Sequence, residues 1–169
     1  ETILSIGSDK IGCFIAEPIL ASGGVIVPPP GYHQRSLELC KKHDIVYISD
    51  ETVTGFGRLG HWFASKEVFG IQPDIITCAK GLTSGYLPMG AAIISERLID
   101  TIKNKDGSQP FTNGYTYSCH PVAAKAALTN IDIMSRDSIL EHVREISPHF
   151  QNRLRSLGKK YDIIGDARG

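Results

Sequence analysis

Short apolar runs closed by turn residues alternate along this chain with stretches whose apolar positions fall three and four residues apart, the pattern of strands alternating with helices. Lys10–Glu17 (KIGCFIAE), Ile45–Ser49, the run ending Asp74–Gly81 (DIITCAKG) and Gly90–Ser95 (GAAIIS) read as strands, rich in β-branched residues. Ile75, Ile76, Cys78 and Ala79 form an almost continuous apolar run, so the third strand is expected to be buried on both faces. Tyr32–His43, with Leu37, Leu39 and Cys40, reads as a helix. Ala64–Phe69 reads as a short one, and Glu96–Lys103 as another. Pro121 suits the first turn of a helix running through VAAKAAL to about Met134. Ile139, Leu140, Val143, Ile146, Phe150, Leu154 and Leu157 mark a longer amphipathic helix, expected to kink at Pro148 and stop at Gly158. Between these lie Ala21–Gly31 (ASGGVIVPPPG), Thr54–Phe63 (TGFGRLGHWF) and Asn104–Asn113 as loops, and Tyr161–Ile164 reads as a strand cut short.

The alternation predicts an α/β fold with a mostly parallel central sheet flanked by helices. Composition agrees: 169 residues, 41% hydrophobic and 21% charged, are enough for a real core. Eighteen basic residues balance eighteen acidic ones, which gives no basic surface for nucleic acid or anionic membrane. Cys13, Cys40, Cys78 and Cys119 are scattered without C-x-x-C pairing and read as free thiols of a reducing compartment. The six histidines have no metal-ligand spacing, so no metal is expected. With no signal peptide or spanning segment, a cytoplasmic protein is expected. The chain opens at Glu1 without methionine and closes at Gly169 inside an apparent strand, so a piece of a longer polypeptide is expected.

The residue that most needs explaining is Lys80, a cation closing an apolar strand. It is either a surface amine whose stem snorkels to water or a desolvated, reactive amine at the carboxyl end of a parallel strand, where open α/β sheets bind ligands. Gly55, Gly57 and Gly60 match the dinucleotide pattern G-x-G-x-x-G, but carboxylates precede them and His61, Trp62 and Phe63 follow where a helix amino terminus is needed. Ile45–Glu51 resembles a Walker B strand, yet no G-x-x-x-x-G-K-[ST] accompanies it, so a P-loop NTPase fragment stays a minority alternative. The remaining reading pairs Asp50 with Lys80, each at a strand end and thirty residues apart, one βαβ unit. If the strands are neighbours, acid and amine share a crevice. A Schiff-base lysine and an aspartate facing a pyridinium nitrogen are what pyridoxal phosphate chemistry needs. Partial desolvation would favour the neutral amine that condenses with the aldehyde, and the amine could then carry the substrate proton.

AEP at Ala16–Pro18, DETVTGFGR at Asp50–Arg58, PDIITCAKGLTSGYLPMGA at Pro73–Ala91 and GYTYSCHP at Gly114–Pro121 occur in this order. Together they resemble class-III pyridoxal-phosphate-dependent aminotransferases, and GGVIVPPPGY is similar to the ω-amino acid:pyruvate branch. The resemblance implies the fold type I large domain over 1–136, with 137–169 a linking helix and the start of a small C-terminal domain. It implies transfer of an amino group from an amine or ω-amino acid to a keto acid such as pyruvate. Aminomutases, racemases and decarboxylases on the same scaffold are the alternatives. By resemblance, Lys80 carries the cofactor and Asp50 meets its ring nitrogen. Thr52 and Val53 lie against the ring, Thr116 bonds the phosphate of the neighbouring subunit in a homodimer, and Glu17 pairs with a substrate-binding arginine. Thr52 stands where the family usually has valine or isoleucine, and Val53 where glutamine often reaches the ring oxygen, which puts that hydrogen bond in doubt. The phosphate loop, the stacking aromatic and the substrate arginine lie outside these residues, so the chain is expected to be inactive alone.

Overall fold

The computed structural model describes residues 1–102 and 112–168. Among these, four strands form one sheet in the order β1 (Cys13–Ala16), β2 (Val46–Asp50), β3 (Ile75–Cys78) and β4 (Ala91–Ile94). Six helices accompany it: α1 (Thr2–Ile6), α2 (Tyr32–Lys42), α3 (Ala64–Glu67), α4 (Glu96–Ile102), α5 (Pro121–Arg136) and α6 (Ile139–Lys160). β1, β2 and β3 run parallel, because helical crossovers carry the chain back across the sheet between them. Only a 3-10 turn, Lys80–Leu82, and a short loop separate β3 from β4. With no crossover to return the chain, β4 pairs antiparallel. The expected loop Asn104–Asn113 and the end of the expected helix at Lys103 lie largely outside the described residues.

Strand register sorts the side chains onto two faces. Tyr47 and Ser49 of β2 point to the covered face, and Glu51 just beyond the strand is buried with them. Leu37 and Cys40 of α2 meet Ile45, Tyr47 and Ile71 there, with Phe14 and Phe69 against them. His33 on the inner side of α2 joins three segments: its Nε2 donates to the Pro18 carbonyl (2.9 Å) and its Nδ1 accepts from the Tyr47 hydroxyl (2.8 Å). A carbonyl can only accept, which fixes the tautomer. Asp74 extends the β2–β3 ladder, taking the Tyr47 amide on Oδ2 (2.9 Å) and Arg97 on Oδ1 (2.9 Å).

The opposite face is open. Ile48, Asp50, Ile75 and Thr77 there are half-buried, and Ile15 of β1 is exposed. The expectation that β3 is buried on both faces is therefore corrected: helices cover one side of this chain's sheet, and the apolar run reports a strand whose second cover is not among the described residues.

Two smaller corrections concern the end. α6 runs through Pro148 and past Gly158 to Lys160, because Gly158 keeps helical backbone while Ile164 and Ala167 pack beside it. Tyr161–Ile164 forms a turn rather than a strand, with no neighbouring edge to pair with. All four cysteines are free thiols. Among the described residues no helix is long and apolar enough to cross a membrane.

Candidate active site

Three of the residues singled out from sequence lie at the carboxyl ends of three adjacent parallel strands: Glu17 after β1, Asp50 closing β2, Lys80 just after β3. In open α/β sheets this edge is where ligands bind. Asp50 stands directly across from Thr77 in the β2–β3 register, and both point to the open face. Its Oδ1 accepts the Thr77 hydroxyl (3.0 Å) and the Thr52 amide (3.0 Å). Burial works against the charge of Asp50. Donation from Thr52 and Thr77, together with the nearby charge of Lys80, outweighs it and holds the carboxyl below the ordinary aspartate value of 3.8. The acid is thus a fixed anion with its second oxygen unclaimed by any hydrogen bond among the described residues.

Lys80 opens the 3-10 turn with φ +40, a left-handed backbone that non-glycine residues rarely hold. Such geometry costs about 1–3 kcal/mol and persists only where the surroundings impose it. Gly81 follows, and a Cβ there would come within 2.8 Å of Phe56 Cβ, so the turn is pressed against the loop after β2. The Lys80 side chain is exposed and has no hydrogen-bond or ion-pair partner among the described residues. Of the two readings of Lys80, this chain by itself displays the exposed amine. The strand delivers Lys80 to the edge of the open face, and burial would have to come from outside that face.

Thr52 and Val53 lie half-buried in the turn leaving β2, and Thr52 meets Asp50 through its amide. Glu17 accepts the Ala21 amide on Oε2 (3.1 Å), closing the turn after β1, and lines a cleft with Leu20, Ile26 and Tyr32. Thr116 is exposed in the turn before α5, and no hydrogen bond ties it to Asp50, Lys80 or Glu17 among the described residues.

Glu51, beside Asp50, has a different task. It is fully buried, and Thr54 Oγ1 (2.6 Å), the Ala64 amide (3.0 Å), the Ser65 amide (2.7 Å) and Ser65 Oγ (2.6 Å) converge on its two oxygens. The carboxylate ties the β2 turn to the start of α3. The GFGRLG loop is equally closed on itself. The Phe56 amide donates to the Trp62 carbonyl (2.8 Å), Gly57 to His61 (2.9 Å) and Gly60 to Gly57 (2.9 Å). Gly57 and Gly60, at φ +86 and +76, let the loop fold flat against Met134, Leu140 and Arg144.

Thr77, which donates to Asp50, and Asn130, which bonds the turn after Lys80, were not singled out from sequence. Thr77's role follows only from strand register. Asn130 carried a signal: it interrupts a stripe of otherwise apolar residues, Ala123, Ala127 and Met134, at helical spacing on α5.

A parallel sheet edge with an anion on one strand end and an exposed amine in the turn after the next is an arrangement that pyridoxal phosphate chemistry can use. The acid suits a protonated ring nitrogen and the amine suits the aldehyde. The Aminotransferase class-III family model matches residues 1–169, and the chain belongs to that family, whose members use pyridoxal phosphate. It is 45% identical over its whole length to a putrescine–pyruvate aminotransferase of Pseudomonas aeruginosa, of which it spans 36%. A β-alanine–pyruvate aminotransferase of the same organism is 42% identical over 93% of the chain. Among solved structures it superposes on a thermostable (S)-enantioselective ω-transaminase from Thermomicrobium roseum with TM-score 0.91 and 39% identity. That match covers 99% of this chain and 37% of the other. A PLP-bound amine transaminase from an uncultivated Pseudomonas species gives TM-score 0.91 at 39% identity, with 99% and 38% covered. The chain thus spans little more than a third of these relatives.

Proposed function

We propose that this chain is the core of the cofactor-binding domain of an aminotransferase that moves an amino group from an amine or ω-amino acid to a keto acid such as pyruvate. The observation that carries the reading is the pairing of Asp50 and Lys80 on adjacent parallel strands, the anion held by Thr52 and Thr77. Relatives named for pyruvate as acceptor support the substrate class over aminomutases, racemases or decarboxylases on the same scaffold.

Pyridoxal phosphate, when bound, supplies an aldehyde for the amine and a ring that withdraws electrons from the carbon losing its proton. Asp50 would hold a proton on the ring nitrogen. Lys80 Nζ would anchor the group and could move the proton at the substrate carbon that carries the amino group. Thr52 and Val53 would bound the ring's surroundings, Thr52 held to Asp50 through its amide. Glu17 lies on the same edge, at the distance of one strand, where it can steer a substrate-binding arginine. Thr116 sits apart from this edge and serves the phosphate of a second subunit, which makes the active unit a homodimer. Residues 1–136 form the large-domain part, and 137–169 lead into a small domain. Exposed Ile146, Phe150 and Leu157 on α6 offer the apolar face such a domain would cover. The enzyme acts on small molecules in the cytoplasm, without nucleic acid or membrane as partner.

The test is amino transfer by the protein in its full length, loaded with pyridoxal phosphate and given an amine donor and pyruvate. Alanine should appear in proportion to ketone or aldehyde formed, and Lys80→Ala should abolish it. Carbon dioxide release, or racemisation without transfer, would contradict the assignment.

A further inference from the structure

Lys80 holds a left-handed backbone that its own side chain does not favour, so something outside the turn must hold it there. Two elements press on it. The loop after β2 packs against Gly81, whose missing Cβ leaves room for Phe56. From the other side comes Asn130 of α5. Its Nδ2 donates to the Gly81 carbonyl (2.8 Å) and to the Leu82 carbonyl (3.2 Å), and its Oδ1 accepts the Ser84 hydroxyl (2.8 Å). One side chain therefore engages three residues of the turn directly after Lys80, both faces of its amide in use. Carbonyl oxygens only accept, so the amide orientation is fixed, and no carboxylate could replace it. Leu82 and Thr83 are buried behind this contact, and Thr83 Oγ1 closes the next turn onto the Leu87 carbonyl (2.6 Å).

We propose that Asn130 is a positioning residue for the reaction: it clamps the Gly81–Ser84 turn and thereby fixes where the Lys80 amine stands relative to Asp50. The inference rests on the reading of Lys80 as the cofactor-bearing amine. Asn130 touches neither the acid nor the lysine side chain, and acts only through the turn that follows Lys80. Loosening the turn should misplace the amine without altering the groups that bind substrate.

The test uses the full-length protein with Asn130→Asp, Asn130→Leu and Ser84→Ala. In the cofactor-free protein, hydrogen exchange of the Leu82 and Thr83 amides reads the clamp alone, since these donate to Ala79 and Lys80 within the turn. Exchange should speed up about tenfold in both Asn130 variants and less in Ser84→Ala, as local opening becomes easier. The rate at which pyridoxal phosphate and borohydride label Lys80 should fall, and kcat should drop about ten- to a hundredfold with KM nearly unchanged, the cost of a small misplacement. Should the Asn130 variants fold poorly, Ser84→Ala carries the test, because Ser84 is exposed and loses only its bond to Asn130. Exchange and labelling equal to wild type in all variants would overturn the clamp. Failure of the underlying reading looks different: wild-type protein would then take no label on Lys80, whatever the exchange rates.

Discussion

Asp50 keeps its charge at a strand end because two threonines donate to one of its oxygens, one from its own turn and one across the sheet. Replacing it with asparagine keeps the shape and removes the anion that holds the ring proton. We expect Asp50→Asn to retain pyridoxal phosphate but to slow the amine half-reaction at least about a hundredfold, the size of other preorganised electrostatic losses. Stopped-flow absorbance of the loaded enzyme checks this, and an unchanged rate would deny Asp50 its role. The same residue shapes acid stability. Its folded pKa lies below the unfolded value near 3.8, so its contribution is complete above that value and is lost as pH falls through the lowered one. Denaturant melts at successively lower pH should show a shallower acid limb for Asp50→Asn than for wild type. Lys80 was legible in sequence as a position but not as an environment. The apolar run before it reads as burial, whereas the strand only delivers it to an exposed edge in a strained turn. Neither φ nor exposure is written in the run itself.

At the scale of elements, the β2 turn depends on Glu51, which sequence reading set beside Asp50 as a second strand-end acid. Buried among four donors, it is the knot between β2 and α3. Glu51→Gln turns an amide N–H toward some of those donors and should cost about 2–4 kcal/mol of stability by denaturant unfolding, as for hydrogen bonds to a charged group. A change within experimental error would mean that the loop is held by packing alone. The network joining α2 to β2 gives a milder case. Tyr47→Phe removes the hydroxyl that donates to His33 and should cost about 1–2 kcal/mol. Strands, helix stripes and their order were readable because burial repeats with period two or 3.6. The antiparallel return of β4 was not, since it depends on connection length. Glu51's partners and Thr77's reach to Asp50 also appear only when separate segments meet. The end of α6 was misread because Gly158 breaks a helix only where no packing beside it favours continuation.

For the whole molecule, the decisive fact is that 169 residues span about a third of the relatives' length while carrying both the acid and the lysine. Lys80 is exposed here, and Ile15 and Phe150 present apolar surface that a folded enzyme would cover. The chain alone should therefore show no transaminase turnover, and measurable turnover by residues 1–169 would contradict that division of labour. Thr116 shows the same limit from another side. Its assignment rests on family resemblance, and the role proposed for it would need a second subunit that a single chain does not display.

The central claim is that Lys80 is the amine that carries the cofactor. Borohydride reduction of the full-length protein with pyridoxal phosphate, followed by peptide mapping, tests it directly. One stoichiometric pyridoxyl label, on Lys80, is expected. A label on another lysine, or none at all, would contradict it.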